Sequence, residues 1–436
     1  MRELNVHLEG REAATLNQDN YGAIKLEYLD TYLSIPDATP LSVSMPPVLP
    51  SHGNKVASIW ISNLLPEDPR VLQRWAQDFK VSATSPFRLL EHVGGEIAGA
   101  ARLLKPGVNP EEGGIEWLST NDVAIILNQL ALDPSAWSPR QMKGQFSLAG
   151  VQAKTALRLE GDRWGRPFGS EPTTHILKVS STFEHQTLNE HLCMRAASKL
   201  KNIVVARTHV EQFGVATAII IERYDRRIDK EKVVRIHQED MCQALKVNPF
   251  DKYQQDGGPG IKEIFALLRR VVTPERVTGE VERFLRAIAF SWVIASTDGH
   301  AKNYSVLLSG SQVRLAPMYD VQSALPYLTK ERIGVPEGQM SERSAEFAMR
   351  IGTHFHIDSI NREDWELVAD QSRCDRENVL EIVREVTVNV PAAFYQVAEE
   401  VRTQGLLTDD QLKFVANLEK LVERRAEKCL EILGRR

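Results

Sequence analysis

The feature that constrains this chain most is one short polar loop and what flanks it. Val281 to Ala295 carries Phe284, Leu285, Ile288 and Trp292 on one helical stripe. It runs directly into Ser296-Thr297-Asp298-Gly299-His300-Ala301-Lys302-Asn303. Tyr304 to Leu308, then Ser309-Gly310-Ser311, then Gln312 to Ala316, reads as a β-hairpin. Ala316-Pro317-Met318-Tyr319-Asp320 closes the segment. An apolar helix must therefore pass the chain through a loop of hydrogen-bonding side chains into a β-hairpin.

Asp298 and Asn303 have the D-x-x-x-x-N spacing of a kinase catalytic loop. Phosphoryl transfer needs an Asp to accept or orient the proton of the attacking hydroxyl. It also needs an Asn carbonyl to hold Mg²⁺ beside the phosphates, and a short loop brings both to one place. For the spacing alone, a polar helix-to-strand turn is the commoner explanation, because Asp, Gly and Asn favour turns. Asp320 shifts that balance: a carboxylate at a strand end, just past such a loop, is where a kinase puts its second metal ligand. Val321-Gln322 follows Asp320 in place of Phe-Gly, and no Arg precedes Asp298, so a close eukaryotic-type kinase is excluded.

Other segments offer the rest of a nucleotide site. Lys178 lies in the expected strand His175 to Ser180, where a lysine can hold phosphates as a point charge or sit at an edge in water. Glu190, in the expected helix Thr187 to Leu200, is either its partner or a solvated helix glutamate. Leu148 to Thr155 is a turn able to present N–H groups to phosphates, though it lacks the second Gly of a Walker A loop. Glu222-Arg223-Tyr224-Asp225 follows the strand Ala216 to Ile221, where a kinase hinge would meet adenine. His300 orients Asp298 or braces its loop, and the bracing role is the stronger reading. Arg223, Arg226, Arg227, Lys230, Lys232 and Arg235 form a basic run, either a solvated face or a contact for DNA phosphates or an acidic partner.

The 436 residues suit two or three domains, divided here as 1–110, 111–225 and 226–436. Residues 1–50 read as short strands, with Leu4 to Leu8 alternating, and then a proline-rich loop. Residues 56–77 are helical around Pro66 and Pro69, and a helix from Pro86 ends at Gly94-Gly95, read as a C-cap. Residues 100–104, Gln145 to Leu148, Thr155 to Leu159 and Val204 to Ala206 are expected as strands. Thr408 to Leu433 is a long helix with Thr408 and Gln411 as a capping box. A net charge of −5 and a pI near 6.2 argue against a chain that grips DNA alone over a large surface. The four scattered cysteines form no zinc or redox motif and suit a reducing cytoplasm. No apolar run reaches the roughly 20 residues that span a bilayer, so no membrane is expected.

Taken in order, these motifs resemble those of the HipA family of bacterial serine/threonine kinase toxins. The residues that carry the resemblance are Phe146 to Thr155, Thr173 to Lys178, Glu222 to Arg227, Gln238 to Gln243, Asp256-Gly257-Gly258-Pro259-Gly260, Thr297 to Asn303 and Tyr319-Asp320. Asn63-Leu64-Leu65-Pro66-Glu67 and Pro86-Phe87-Arg88-Leu89-Leu90 match the family's N-terminal subdomain. The resemblance implies an α+β, two-lobed protein-kinase-like fold, with a β-rich N-lobe and a helical C-lobe. It implies Asp298 as catalytic aspartate and Asn303 and Asp320 as Mg²⁺ ligands. It assigns the ATP phosphates to Lys178 and to a loop of Ala149, Gly150, Val151, Gln152, Ala153, Lys154 and Thr155. Glu222 and Tyr224 become the adenine hinge, and Ser147 the autophosphorylated serine. Two positions depart from the family's pattern: Ala153 replaces a frequent acidic residue, and Tyr224 a frequent Phe.

The resemblance further implies a toxin of a toxin–antitoxin module in a bacterial cytoplasm. Its partner would be a HipB-like helix-turn-helix antitoxin, with operator DNA bound mainly through it. Its substrate class would be an aminoacyl-tRNA synthetase, the glutamyl enzyme first. Two alternatives stand beside this reading: a small-molecule kinase, and a catalytically silent corepressor of such an antitoxin. Retention of Lys178, Asp298, Asn303 and Asp320 argues against the second.

Overall fold

The structure, a computed structural model, describes residues 1–137, 145–180, 183–230, 232–331 and 333–434. It resolves into two units, one formed by 1–179, 211–250 and 305–314, the other by 180–210, 251–304 and 315–436.

The first unit begins with strands that alternate as the sequence does. In β1 (Arg2–Leu8), Leu4, Val6 and Leu8 are buried while Arg2 and Glu3 are exposed. With β2 (Arg11–Gln18), β3 (Ile24–Tyr28), β4 (Ser51–His52) and β5 (Ala101–Leu104) it makes a sheet of order β4-β3-β2-β1-β5. Helices α1 (Asp30–Leu33), α2 (Asn54–Ser62), α3 (Pro69–Phe79) and α4 (Pro86–Val93) belong to the same subdomain. Trp60, Ile61, Val71, Trp75, Phe87 and Leu90 join the strand residues in one core. Pro69 does not break a long helix; it starts one, at the first helical position after Asp68, whose side chain accepts from the Arg70 N–H. Gly94 does follow α4, but in ordinary right-handed geometry. Its reason is space: a Cβ there would stand 2.8 Å from that of Leu103 on β5.

A second sheet has the order β10-β11-β9-β7-β8-β6. Its strands are β6 (Gly113–Trp117), β7 (Lys154–Glu160), β8 (Arg163–Gly169), β9 (His175–Val179), β10 (Thr208–Phe213) and β11 (Ala216–Glu222). Helix α5 (Thr120–Leu132), started by a Ser119–Asp122 capping box, packs on β9 and β11. Two expected strands are corrected. Val204 to Ala206 is not one; it makes a single bridge, Val205 to Met318, and the strand is Thr208–Phe213 instead. Gln145 to Leu148 lies outside any ladder, its Ser147 N–H donating to the Glu96 carbonyl at 2.8 Å. The unit ends with the paired strands β12 (Arg226–Asp229) and β13 (Lys232–Arg235), helix α7 (Met241–Leu245), and a sheet of β14 (His237–Asp240), β15 (Ser305–Ser309) and β16 (Gln312–Leu315). The hairpin β15–β16 turns at Gly310, where φ is +57°.

The second unit is mainly helical: α6 (Gln186–Ser198), α8 (Ile261–Val271), α9 (Pro274–Val293), α10 (Arg362–Ser372), α11 (Arg376–Gln404) and α12 (Asp409–Gly434). Helix α6, read from sequence with the β-rich lobe, groups here. Helix α9 packs on α8 and α11, and α11 also on α6 and α12. The expected stripe of α9 is buried, each such side chain contributing about 1.5–3 kcal/mol. Arg286 on α9 bonds Glu282 and Glu385, both at 2.8 Å. The Thr408–Gln411 box starts α12 as expected. The fold is α+β and kinase-like. Among the described residues, no helix is long and apolar enough to cross a membrane.

Candidate active site

The loop after α9 is built on its own carbonyls. The Asp298 carbonyl accepts from the His300 N–H and from Asn303 Nδ2, both at 2.8 Å. Both its lone pairs are thereby used, and Asp298 and Asn303 are locked together. Ala301–Asn303 forms one 3₁₀ turn with Asn303 buried, whereas Asp298 is exposed at the loop's tip. Asp298 Oδ1 accepts from the Tyr253 hydroxyl at 2.6 Å. The buried His300 ring meets the Tyr253 ring edge-on, centroids 5.0 Å apart. His300 thus packs on the tyrosine whose hydroxyl bonds Asp298.

Asp320 is brought to the same loop by a series of anchors. Tyr319 donates its hydroxyl to the Lys302 carbonyl at 2.6 Å. Glu280 and Arg283 of α9 bond the backbone N–H and C=O of Leu315 at 3.1 and 3.0 Å. Beyond Asp320, Ser323 Oγ donates to the Ile294 carbonyl at 2.7 Å, and the Ala324 N–H to the Ala295 carbonyl at 3.1 Å. Asp320 itself has φ +58°, a left-handed conformation that Asp tolerates at a cost on the order of 1 kcal/mol. The donor set fits Mg²⁺, a hard cation that takes oxygen ligands. With the Asn303 nitrogen bonded to Asp298, its carbonyl Oδ1 is the end that would face a metal, and Asp320 would supply a carboxylate.

The first unit holds the expected phosphate-loop, strand-lysine and hinge residues. Lys154 and Lys178 are paired across β7 and β9, directly opposite each other and so on one face of the sheet. Both are buried, which removes the reading of Lys178 as an edge lysine in water. Lys154 begins β7, and its Nζ turns back to donate to the Ala149 carbonyl at 2.8 Å. Gly150 has φ +108°, and a Cβ there would meet that Nζ at 2.6 Å. The loop is pinned to the Asn63–Glu67 segment. Ser147 is fully buried and its Oγ donates to the Leu64 carbonyl at 2.7 Å, while Gly150 N–H reaches Glu67 Oε1 at 3.2 Å. Glu222, the last residue of β11, is exposed opposite His175. The Tyr224 hydroxyl donates to Gln238 Oε1, and burial pushes that phenol well above its ordinary range. In the second unit Glu190 is fully buried on α6, not a solvated helix glutamate.

The basic run is corrected. Arg223, Arg226 and Arg235 face inward. Arg223 bonds Glu96 at 2.9 Å and Asp225 at 2.8 Å, Arg226 bonds Glu96 at 2.9 Å, and Arg235 bonds it at 2.7 Å. Burial alone would raise the Glu96 carboxyl, but Arg226, Arg235 and Arg223 together hold it far below the usual range. Arg227, Lys230 and Lys232 are the exposed members. Sequence reasoning also missed Tyr253. Its one signal was position, three residues before Asp256-Gly257-Gly258-Pro259-Gly260.

Comparison with known proteins identifies the family. The HipA-like C-terminal domain matches residues 146–394, and the HipA N-terminal domain residues 4–104. The chain is 33% identical over 380 residues to a Sinorhizobium fredii protein named "Putative kinase Y4mE", covering 85% of this chain and 86% of that one. It is 27% identical over 407 residues to the serine/threonine-protein kinase toxin HipA of Shewanella oneidensis, covering 90% and 88%. A solved structure of the Shewanella oneidensis HipA, HipB and operator DNA complex contains a chain that superposes with a TM-score of 0.82 at 25% identity, over 99% of this chain and 98% of that one. The chain belongs to the HipA family of kinase-like enzymes.

Proposed function

We propose that this chain transfers the γ-phosphate of ATP to a protein serine, as the toxin of a toxin–antitoxin module in a bacterial cytoplasm. The observation that carries the reading is the bond from Asn303 Nδ2 to the Asp298 backbone carbonyl at 2.8 Å, which holds the two residues of the D-x-x-x-x-N loop together. In this reading the substrate hydroxyl attacks the γ-phosphorus, its proton passes to Asp298, and ADP leaves. Asn303 and Asp320 hold Mg²⁺, whose charge offsets that of the phosphates. Lys178 and the loop Ala149–Thr155, with Lys154, bind phosphate oxygens. Glu222 and Tyr224 supply the adenine hinge, and His300 keeps the catalytic loop in shape.

Ser147 is the proposed autophosphorylation site. Its burial supports an off-switch, because a phosphoserine carries about −1.5 to −2 charges and cannot stay in a dry pocket under a carbonyl. The partner is a HipB-like antitoxin that binds operator DNA, consistent with the relative solved with HipB and operator DNA and with a net charge of −5 here. The substrate class is an aminoacyl-tRNA synthetase, the glutamyl enzyme first.

The test is phosphoproteomics of the host after induction of the chain, beside an Asp298→Asn control. A synthetase serine phosphorylated only with the active chain is expected. Growth arrest that persists with Asp298→Asn contradicts the reading, as does turnover of a small metabolite with no protein labelled.

A further inference from the structure

We infer that Tyr253 is a positioning residue for Asp298, and that the turn Asp256-Gly257-Gly258-Pro259-Gly260 serves to hold Tyr253 in that role; this rests on Asp298 being the catalytic carboxylate. An exposed aspartate can rotate about its last bond and present either oxygen. The 2.6 Å bond from the Tyr253 hydroxyl engages Oδ1 and restrains rotation of the carboxylate. Oδ2 is then the oxygen that takes the proton as the substrate oxygen bonds to the γ-phosphorus and the bond to ADP breaks.

The surroundings of Tyr253 over-determine its place. The Tyr253 carbonyl accepts from the Asp256 N–H at 3.0 Å and the Gly258 N–H at 2.9 Å. A Cβ on Gly258 would stand 2.2 Å from the Asp251 carbonyl and 2.7 Å from that of Tyr253, so only glycine lets the turn close there. Gly257 has φ +95°, which also favours glycine. The following residues are fixed to the strand Glu346–Ile351: Gln254 Oε1 accepts from the Arg350 N–H at 2.9 Å, and Gln255 bonds Glu346 at 2.8 Å. The same strand reaches the catalytic loop, the Ala348 N–H donating to the Thr297 carbonyl at 3.0 Å. One strand thus brackets both the tyrosine and the residue before Asp298. His300 closes the arrangement by packing on the Tyr253 ring.

The experiment compares Tyr253→Phe, Gly258→Ala and their double variant with Asp298→Asn in steady-state kinase assays on the full chain. Phenylalanine keeps the ring on His300 and removes only the hydroxyl. Tyr253→Phe is expected to lower kcat about 10- to 100-fold while the KM for ATP and the melting temperature stay put. Gly258→Ala is expected to lower kcat similarly, and the double variant no further than the worse single one. A dead Asp298→Asn beside a Tyr253→Phe enzyme of wild-type kcat overturns this inference alone. Multiplicative losses in the double variant overturn the role given to the turn. An Asp298→Asn enzyme that still transfers phosphate overturns the reading of Asp298 and this inference with it.

Discussion

Lys154 and Lys178 stand directly opposite each other on adjacent antiparallel strands, and each is only 5% exposed. Lys154 Nζ also donates to the Ala149 carbonyl at 2.8 Å. In the proposed site both lysines bind phosphate oxygens of ATP. Replacing Lys178 with Met is therefore expected to weaken ATP binding by about 10- to 100-fold, the loss of one charge-assisted hydrogen bond. The rise in melting temperature on adding ATP and Mg²⁺ should disappear. An ATP-induced rise of full size in the variant would contradict this role.

Glu96 bridges three arginines in the first unit, and removing one partner of such a buried group leaves charges uncompensated. Glu96→Gln should cost about 3–5 kcal/mol in urea unfolding. The carboxyl is held far below its ordinary 4.5 in the folded chain. Its contribution is thus fully present above that value and is lost as the pH falls below it. Wild type should lose stability on acidification across this range, and Glu96→Gln should lose less.

Glu239 has the opposite sign. It is buried with Ser42 Oγ at 2.5 Å and the Val43 N–H at 2.7 Å, and burial pushes its carboxyl up from 4.5 to about 8. Between those values the unfolded chain gives up this proton and the folded chain keeps it. The stability it contributes is therefore present below about 4.5 and lost as the pH rises towards 8. Urea melts at pH 5 and pH 8 should show wild type losing more than Glu239→Gln over that interval; equal losses would refute the assignment.

Ser147→Asp puts a carboxylate under the Leu64 carbonyl in a dry site. The loop from Ala149 to Thr155 should leave its place, which limited proteolysis detects as new cleavage near it, together with loss of ATP binding. Ser147→Ala should lose only about 1 kcal/mol and keep ATP binding. An Asp variant as protease-resistant as wild type would sink the idea.

What the sequence disclosed follows the range of the interactions. The loop Ser296 to Asn303 and the hairpin were legible because their determinants are local: an apolar stripe, Asp and Asn at fixed spacing, and Ser309-Gly310-Ser311 at the turn. Thr208–Phe213 escaped because its inner residues are only partly buried and its pattern is mixed. Arg223, Arg226 and Arg235 read as a surface run because composition cannot show that Glu96, more than a hundred residues earlier, lies among them. Tyr253 was missed for the same reason, since its partner Asp298 lies 45 residues further on.

The most direct test of the account is transfer of labelled γ-phosphate from ATP and Mg²⁺ to protein serine by the purified chain and by Asp298→Asn. Serine labelling by wild type, reduced at least about 100-fold in the variant at an unchanged melting temperature, is the predicted result. Labelling by Asp298→Asn at the wild-type rate would contradict it.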